Sequence, residues 1–69
     1  MTDHVYKKIE LVGSSKTSIE DAIHNAIATA SKSLKNLDWF EVMETRGNIS
    51  DGKAEYFQVT LKVGFRLAD

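Results

Sequence analysis

The 69-residue chain has no cysteine, no proline, four glycines and a single tryptophan. Without cysteine there is no disulfide, and no Cys/His cluster has zinc-site spacing, so two common staples of very small domains are excluded. Without proline no linker or domain boundary is marked, and one domain fills residues 1–69. A surplus of one charge is missing too. Nine Lys plus Arg stand against ten Asp plus Glu, a formal net charge of −1, which offers no basic field to nucleic acid or to an anionic membrane. No apolar run approaches the roughly 20 residues that span a bilayer. The opening, Met1-Thr2-Asp3-His4-Val5-Tyr6-Lys7-Lys8, leads into a strand pattern with no basic segment followed by an apolar one, so a cytoplasmic protein is expected.

The shortage extends to core. A domain of this size buries only about 60% of the surface its unfolded chain exposes. With disulfides and structural zinc excluded, assembly with copies of itself is the remaining common remedy, and a closed homo-oligomer is expected.

What is there reads as β-α-β-β. Val5–Val12 alternates with Val5, Ile9 and Leu11 on one face, although Lys7 breaks the pattern, and the strand is expected to end at Gly13. Gly13-Ser14-Ser15-Lys16-Thr17 has loop composition. Ser18 followed by Asp21, or Thr17 followed by Glu20, suits a helix-opening capping box. From there Ile19, Ala22, Ile23, Ala26, Ile27, Ala30, Leu34 and Leu37 recur at three and four residues, an apolar stripe along about five turns. Glu20, His24, Asn25, Thr29, Ser31, Lys32 and Lys35 lie opposite, with acids in the first turn and lysines in the last, as the helix dipole favours.

Trp39–Ile49 and Lys53–Leu67 form a hairpin around Asp51-Gly52, residues that suit the positive φ angles of a type I′ turn. Pairing Ser50 with Lys53 sets Phe40 opposite Val63, Val42 opposite Leu61 and Arg46 opposite Phe57, which collects the apolar residues on one face over the helix. The register assumes no β-bulge; a bulge would carry Glu44 and Arg46 to the other face. The fold class is therefore α+β, a three-stranded antiparallel sheet on one helix.

The sheet's other face carries Tyr6, Lys8 and Glu10, then Trp39, Glu41, Met43 and Thr45, then Tyr56, Gln58, Thr60 and Lys62. Glu41 opposite Lys62 and Thr45 opposite Gln58 are favourable pairs. Trp39 lies opposite Gly64, gains no packing partner from it, and is left unexplained by a monomer. Two readings stay open: the indole fills a subunit interface, or a planar ligand stacks on it in the space above the glycine. Gly64 and Gln58 are six residues apart on one strand, about 20 Å, so one chain cannot bring Trp39 and Gln58 onto one small ligand. A pocket using both is shared across a symmetry axis.

The segments Val5–Ser15, Leu37-Asp38-Trp39-Phe40-Glu41-Val42, Arg46-Gly47, Phe57-Gln58-Val59 and Val63-Gly64-Phe65-Arg66-Leu67 together resemble the dodecins, small flavin-binding proteins, over essentially the whole chain. The resemblance implies a hollow homododecamer that stacks flavin pairs between tryptophans of symmetry-related subunits. It makes Trp39 the stacking residue and Gln58 the amide on the polar pyrimidine edge of the ring. Glu44 corresponds to an acid near the ribityl chain, although the unbroken register turns it inward. Arg46 matches a position that bacterial members use near the ligand, where a guanidinium favours FMN over riboflavin. Some members also bind coenzyme A, with Arg66 as the candidate contact. The implied role is storage and protection, since an electron-rich indole stacked on an excited flavin returns it to the ground state.

Enzyme chemistry finds little footing. There is no thiol, no GxGxxG and no Ser/His/Asp order that suits a nucleophile with its base. His4 near the terminus and His24 on the polar helix face read as surface residues and not as metal ligands, and Glu20 and Asp21 as capping acids. The alternative to a flavin store is an oligomeric scaffold or carrier, coenzyme A-binding or not, in which Trp39 only packs between subunits.

Overall fold

A computed structural model describes residues 3–67; of the opening stretch read above, Met1 and Thr2 lie outside them. The elements run β1 (Tyr6–Ser15), α1 (Ile19–Ala30), β2 (Leu37–Ser50) and β3 (Lys53–Arg66). They form one antiparallel sheet in the order β1-β3-β2. The β-α-β-β order and the three-stranded antiparallel sheet are as the sequence leads one to expect.

β3 takes the centre because its alternation is unbroken: Val59, Leu61 and Val63 are buried toward α1. With Ala22 and Ala26 of the helix they form the core, and Ile9, Leu11, Ile23, Ile27 and Leu37 pack around it. Each fully buried aliphatic side chain contributes about 1.5–3 kcal/mol, so this core is small.

β1 does not stop at Gly13. It continues through Ser15, pairing Gly13 with Val59 and Ser15 with Phe57, and the expectation of a loop over Gly13–Ser15 is corrected. The glycine is there for clearance: a Cβ on Gly13 would lie 2.1 Å from the carbonyl oxygen of Ala22 and 2.9 Å from the Ala26 Cβ. Ser15 then organises the helix start. Its Oγ donates to the Asp21 carboxylate at 2.6 Å and accepts from the Thr17 N–H at 2.8 Å. Ser18 is the N-cap, accepting from the Asp21 N–H at 3.0 Å, as the Ser18/Asp21 reading anticipates.

The helix is shorter than its stripe. It ends at Ala30 with Ser31 as C-cap, so Leu34 and Leu37 are not on it, and Lys32 and Lys35 do not complement its last turn. Ser31 Oγ donates to the Ala28 carbonyl, the Lys32 and Ser33 N–H groups bond three residues back, and Asn36 takes φ 64°. Serines that compete for backbone carbonyls and an asparagine in the left-handed region end the helix while the apolar spacing continues. Leu37 instead opens β2.

The hairpin turn is as expected: Asp51 and Gly52 both have positive φ, 51° and 71°, and Ser50 pairs with Lys53. The register beyond it is not continuous. Two irregularities lie within the hairpin, between Asn48 and Ile49 and between Val42 and Glu44, and a third lies at the start of β2, between Leu37 and Trp39. Within the hairpin Glu55 is the extra residue on β3 and Met43 the extra residue on β2, so those two shifts cancel. Phe40 still faces Val63 and Val42 still faces Leu61, but between the bulges Arg46 pairs with Gln58 instead of Phe57, and Thr45 with Val59 instead of Gln58.

The helix lies over β1 and β3, leaving the inner side of β2 uncovered. On that side Phe40 and Val42 are each 46% exposed and Ile49 80%, and Met43 in the bulge is 52% exposed. A chain that leaves this much apolar strand open is incomplete by itself.

Candidate functional site

The face of the sheet away from α1 holds the candidate residues, and the two bulges decide which they are. Residues directly opposite in a sheet share a face. Arg46 opposite Gln58 and Glu44 opposite Thr60 therefore stand on the outer face, and the inward placement read from an unbroken register is corrected. The contact is direct: Arg46 Nε donates to Gln58 Oε1 at 3.1 Å.

Trp39 stands at the other end of the same face. It pairs with Gly64 as expected, but the space above that glycine is not open. A Cβ on Gly64 would lie 2.2 Å from Trp39 Cζ2 and 2.3 Å from Cε2, so the indole itself lies on the glycine backbone. Nor is Trp39 without a partner in its own chain. Tyr6 of β1 meets it diagonally across the central strand, with ring centroids 5.1 Å apart and planes at 64°, an edge-to-face contact that holds the indole against rotation. Trp39 is still 39% exposed. A partly exposed indole resting on the sheet can offer its outer face to a planar ring.

Tyr6 and Lys8 are the site-building residues that the sequence reading passed over. The sequence sets both on this face, but nothing in it fixes the β1–β3 register, which pairs Tyr6 with Arg66 and Lys8 with Gly64. Lys8 Nζ reaches the Glu41 carboxylate at 2.7 Å, so Glu41 bonds across the central strand as well as facing Lys62. The Lys8 hydrogen bond and charge hold the Glu41 carboxyl below the usual carboxylate range, with Lys62 and the Trp39 side chain adding to the shift. A depressed folded-state pKa stabilises above the unfolded value and is lost as pH falls through the folded one. The tether of Glu41 beside Trp39 should therefore persist at neutral pH and release only in acid. Replacing Lys8 by alanine should raise the Glu41 pKa toward its ordinary value, as followed by NMR titration of the side-chain carboxyl; an unchanged titration would contradict the pairing.

Arg66 is separate from the rest. It lies at the sheet end, where its N–H bonds the Asn36 carbonyl and its own carbonyl accepts from Asn36 Nδ2. The structure thus brings Arg46, Gln58 and Glu44 together, puts Trp39 about six residues of strand, or ~20 Å, away from Gln58, and sets Arg66 beyond Trp39. Among the described residues no cluster of His, Cys, Asp and Glu suits a metal ion, and no helix is long and apolar enough to cross a membrane.

Comparison with known proteins gives one result. The Dodecin family model matches residues 5–68. A dodecin of Thermus thermophilus is 54% identical over 65 residues, covering 94% of both chains. The crystal structure of the tt0972 protein from the same organism superposes with a TM-score of 0.92 at 52% identity, covering 97% of this chain and 98% of that one. Dodecin from Streptomyces davaonensis gives the same TM-score at 48% identity, covering 99% and 100%. The calcium dodecin of Mycobacterium tuberculosis, described as having a calcium-binding site, is more distant, with a TM-score of 0.79 at 28% identity and 93% and 91% coverage. With its β-α-β-β sheet, its single helix and nearly its full length in common with these proteins, the chain belongs to the dodecin family.

Proposed function

We propose that this protein binds and sequesters flavin, FMN before riboflavin, in pockets shared between chains of a hollow homododecamer. The observation that carries the reading is the pair of compensating bulges. They turn Arg46 and Glu44 onto the face that already holds Trp39 and Gln58, so the four residues that the family resemblance marks for the flavin stand on one surface. A half-exposed indole backed by Gly64 and Tyr6 supplies a stacking platform. The Gln58 amide can both donate and accept, as the pyrimidine edge of a flavin requires. The Arg46 guanidinium adds a charge that suits a phosphate. Separation of Trp39 from Gln58 along the sheet requires that each flavin take its stacking face from one chain and its polar contacts from another, and a two-fold axis then gathers two of each.

The role is binding and protection without turnover, since the face supplies stacking and hydrogen bonds but no paired nucleophile and base. Coenzyme A contact through Arg66 rests on the resemblance alone. The uncovered Phe40, Val42, Met43 and Ile49 favour a second reading, an oligomeric scaffold in which Trp39 serves only packing between subunits.

A fluorescence titration of FMN with ligand-stripped protein separates the two. The flavin reading predicts strong quenching that saturates near one FMN per chain and disappears in Trp39→Ala. Unchanged FMN fluorescence with wild-type protein would leave the scaffold.

A further inference from the structure

We infer that Arg46 is a positioning residue for Gln58, fixing which end of the amide the ligand meets. A primary amide has two nearly isosteric ends, one a donor and one an acceptor, and an unrestrained glutamine can present either. Here the choice is made by chemistry. Arg46 Nε–H is a donor with no acceptor capacity, so the amide end that faces it at 3.1 Å must be Oε1. Flipping Gln58 would set its NH2 against the guanidinium, exchanging a charge-assisted bond for a donor–donor contact. The Nε2 hydrogens are thereby held away from Arg46, and the ligand meets a donor of fixed place.

The contact exists only because of the bulges. In an unbroken register Arg46 would stand opposite Phe57 on the helix side, and Gln58 would face Thr45, whose hydroxyl both donates and accepts and would impose no orientation. The two shifts that move Arg46 by one position thus replace an indifferent neighbour with a directing one. The use of Nε for Gln58 leaves the terminal nitrogens of Arg46 free for an anionic group on the same ligand. One side chain then orients the ring contact and offers charge to the tail.

The inference rests on the flavin reading, in which a ring carbonyl of the pyrimidine edge accepts from Gln58 Nε2 and the ring N–H donates to the second lone pair of Oε1. Riboflavin isolates it, because it has the ring and lacks the phosphate. Binding of riboflavin and of FMN would be measured by fluorescence quenching for wild type, Arg46→Ala, Gln58→Ala and the double variant. Arg46→Ala is expected to weaken riboflavin about tenfold, and the double variant to bind little worse than Gln58→Ala alone, since the two residues act as one unit. Arg46→Lys keeps the charge but loses the planar fork, and should restore FMN more than riboflavin. Loss confined to FMN, or riboflavin effects that multiply in the double variant, would overturn the inference while leaving the flavin site standing. Absence of quenching by wild-type protein with either flavin would instead remove the flavin reading, and the inference with it.

Discussion

Replacing Gly64 by alanine is expected to abolish most flavin binding while leaving the fold intact. The added methyl would lie 2.2 Å from Trp39 Cζ2, where carbon atoms normally rest about 3.5–4.0 Å apart. The indole must therefore rise or turn by about 1 Å or more, and Tyr6 at its edge blocks one way out. Nothing in the backbone is displaced, because the obstructing atoms belong to an exposed side chain. Stacking depends on the plane of the ring, so affinity for FMN should fall by about 30-fold to 100-fold, equivalent to ~2–3 kcal/mol. Circular dichroism and the assembly size should be unchanged. Retained wild-type quenching in Gly64→Ala would mean that the glycine does not set the stacking surface.

Gly13→Ala is expected to do the opposite, destabilising the fold itself. Here the obstruction is the Ala22 carbonyl oxygen at 2.1 Å and the Ala26 Cβ at 2.9 Å, on the one helix that covers the core. The clash can be relieved only by moving α1 off the sheet, which opens its contact with Val59 and Leu61. Overpacking of this kind costs about 3 kcal/mol. In a domain of this size that corresponds to a fall in melting temperature of roughly 10–20 °C. The measurement is thermal unfolding at fixed chain concentration, since association contributes to stability. A melting temperature within a few degrees of wild type would show that the helix has room the geometry denies it.

The contrast between these glycines bears on what a sequence reveals. Asp51-Gly52 was readable because a two-residue hairpin turn demands positive φ at both positions and few residue pairs tolerate it. β3 was readable because Phe57, Val59, Leu61, Val63 and Phe65 alternate without a break. Gly13 was not: with Ser14 and Ser15 its local composition speaks for a loop, and only the helix lying over it explains why a strand there must lack a side chain. The helix ends short of its apolar stripe for a related reason, since Leu34 and Leu37 keep the 3.6-residue period while the serines and Asn36 decide the backbone.

The bulges mattered most for the site. Between Val42 and Ile49 the run Met43-Glu44-Thr45-Arg46-Gly47-Asn48 has few apolar residues to commit to a face, so a one-residue shift carries little hydrophobic penalty. Nothing local distinguishes an inward Arg46 from an outward one. The family resemblance names Arg46 and Glu44 although an unbroken register turns them inward, and the observed register sets both on the outer face. Tyr6 and Lys8 stayed hidden because β1 joins β3 through no turn that would fix their offset.

The central claim is that each pocket is divided between chains, and complementation tests it most directly. Trp39→Ala chains and Gln58→Ala chains would be purified separately, shown to bind FMN weakly, then unfolded together and reassembled. If a flavin takes its stacking face from one chain and its amide from another, mixed assemblies contain pockets with an intact tryptophan opposite an intact glutamine, and FMN quenching should return in part. If both residues served a ligand within one chain, no mixture could rebuild the site, and quenching in the mixed assemblies would stay at the level of the separate variants.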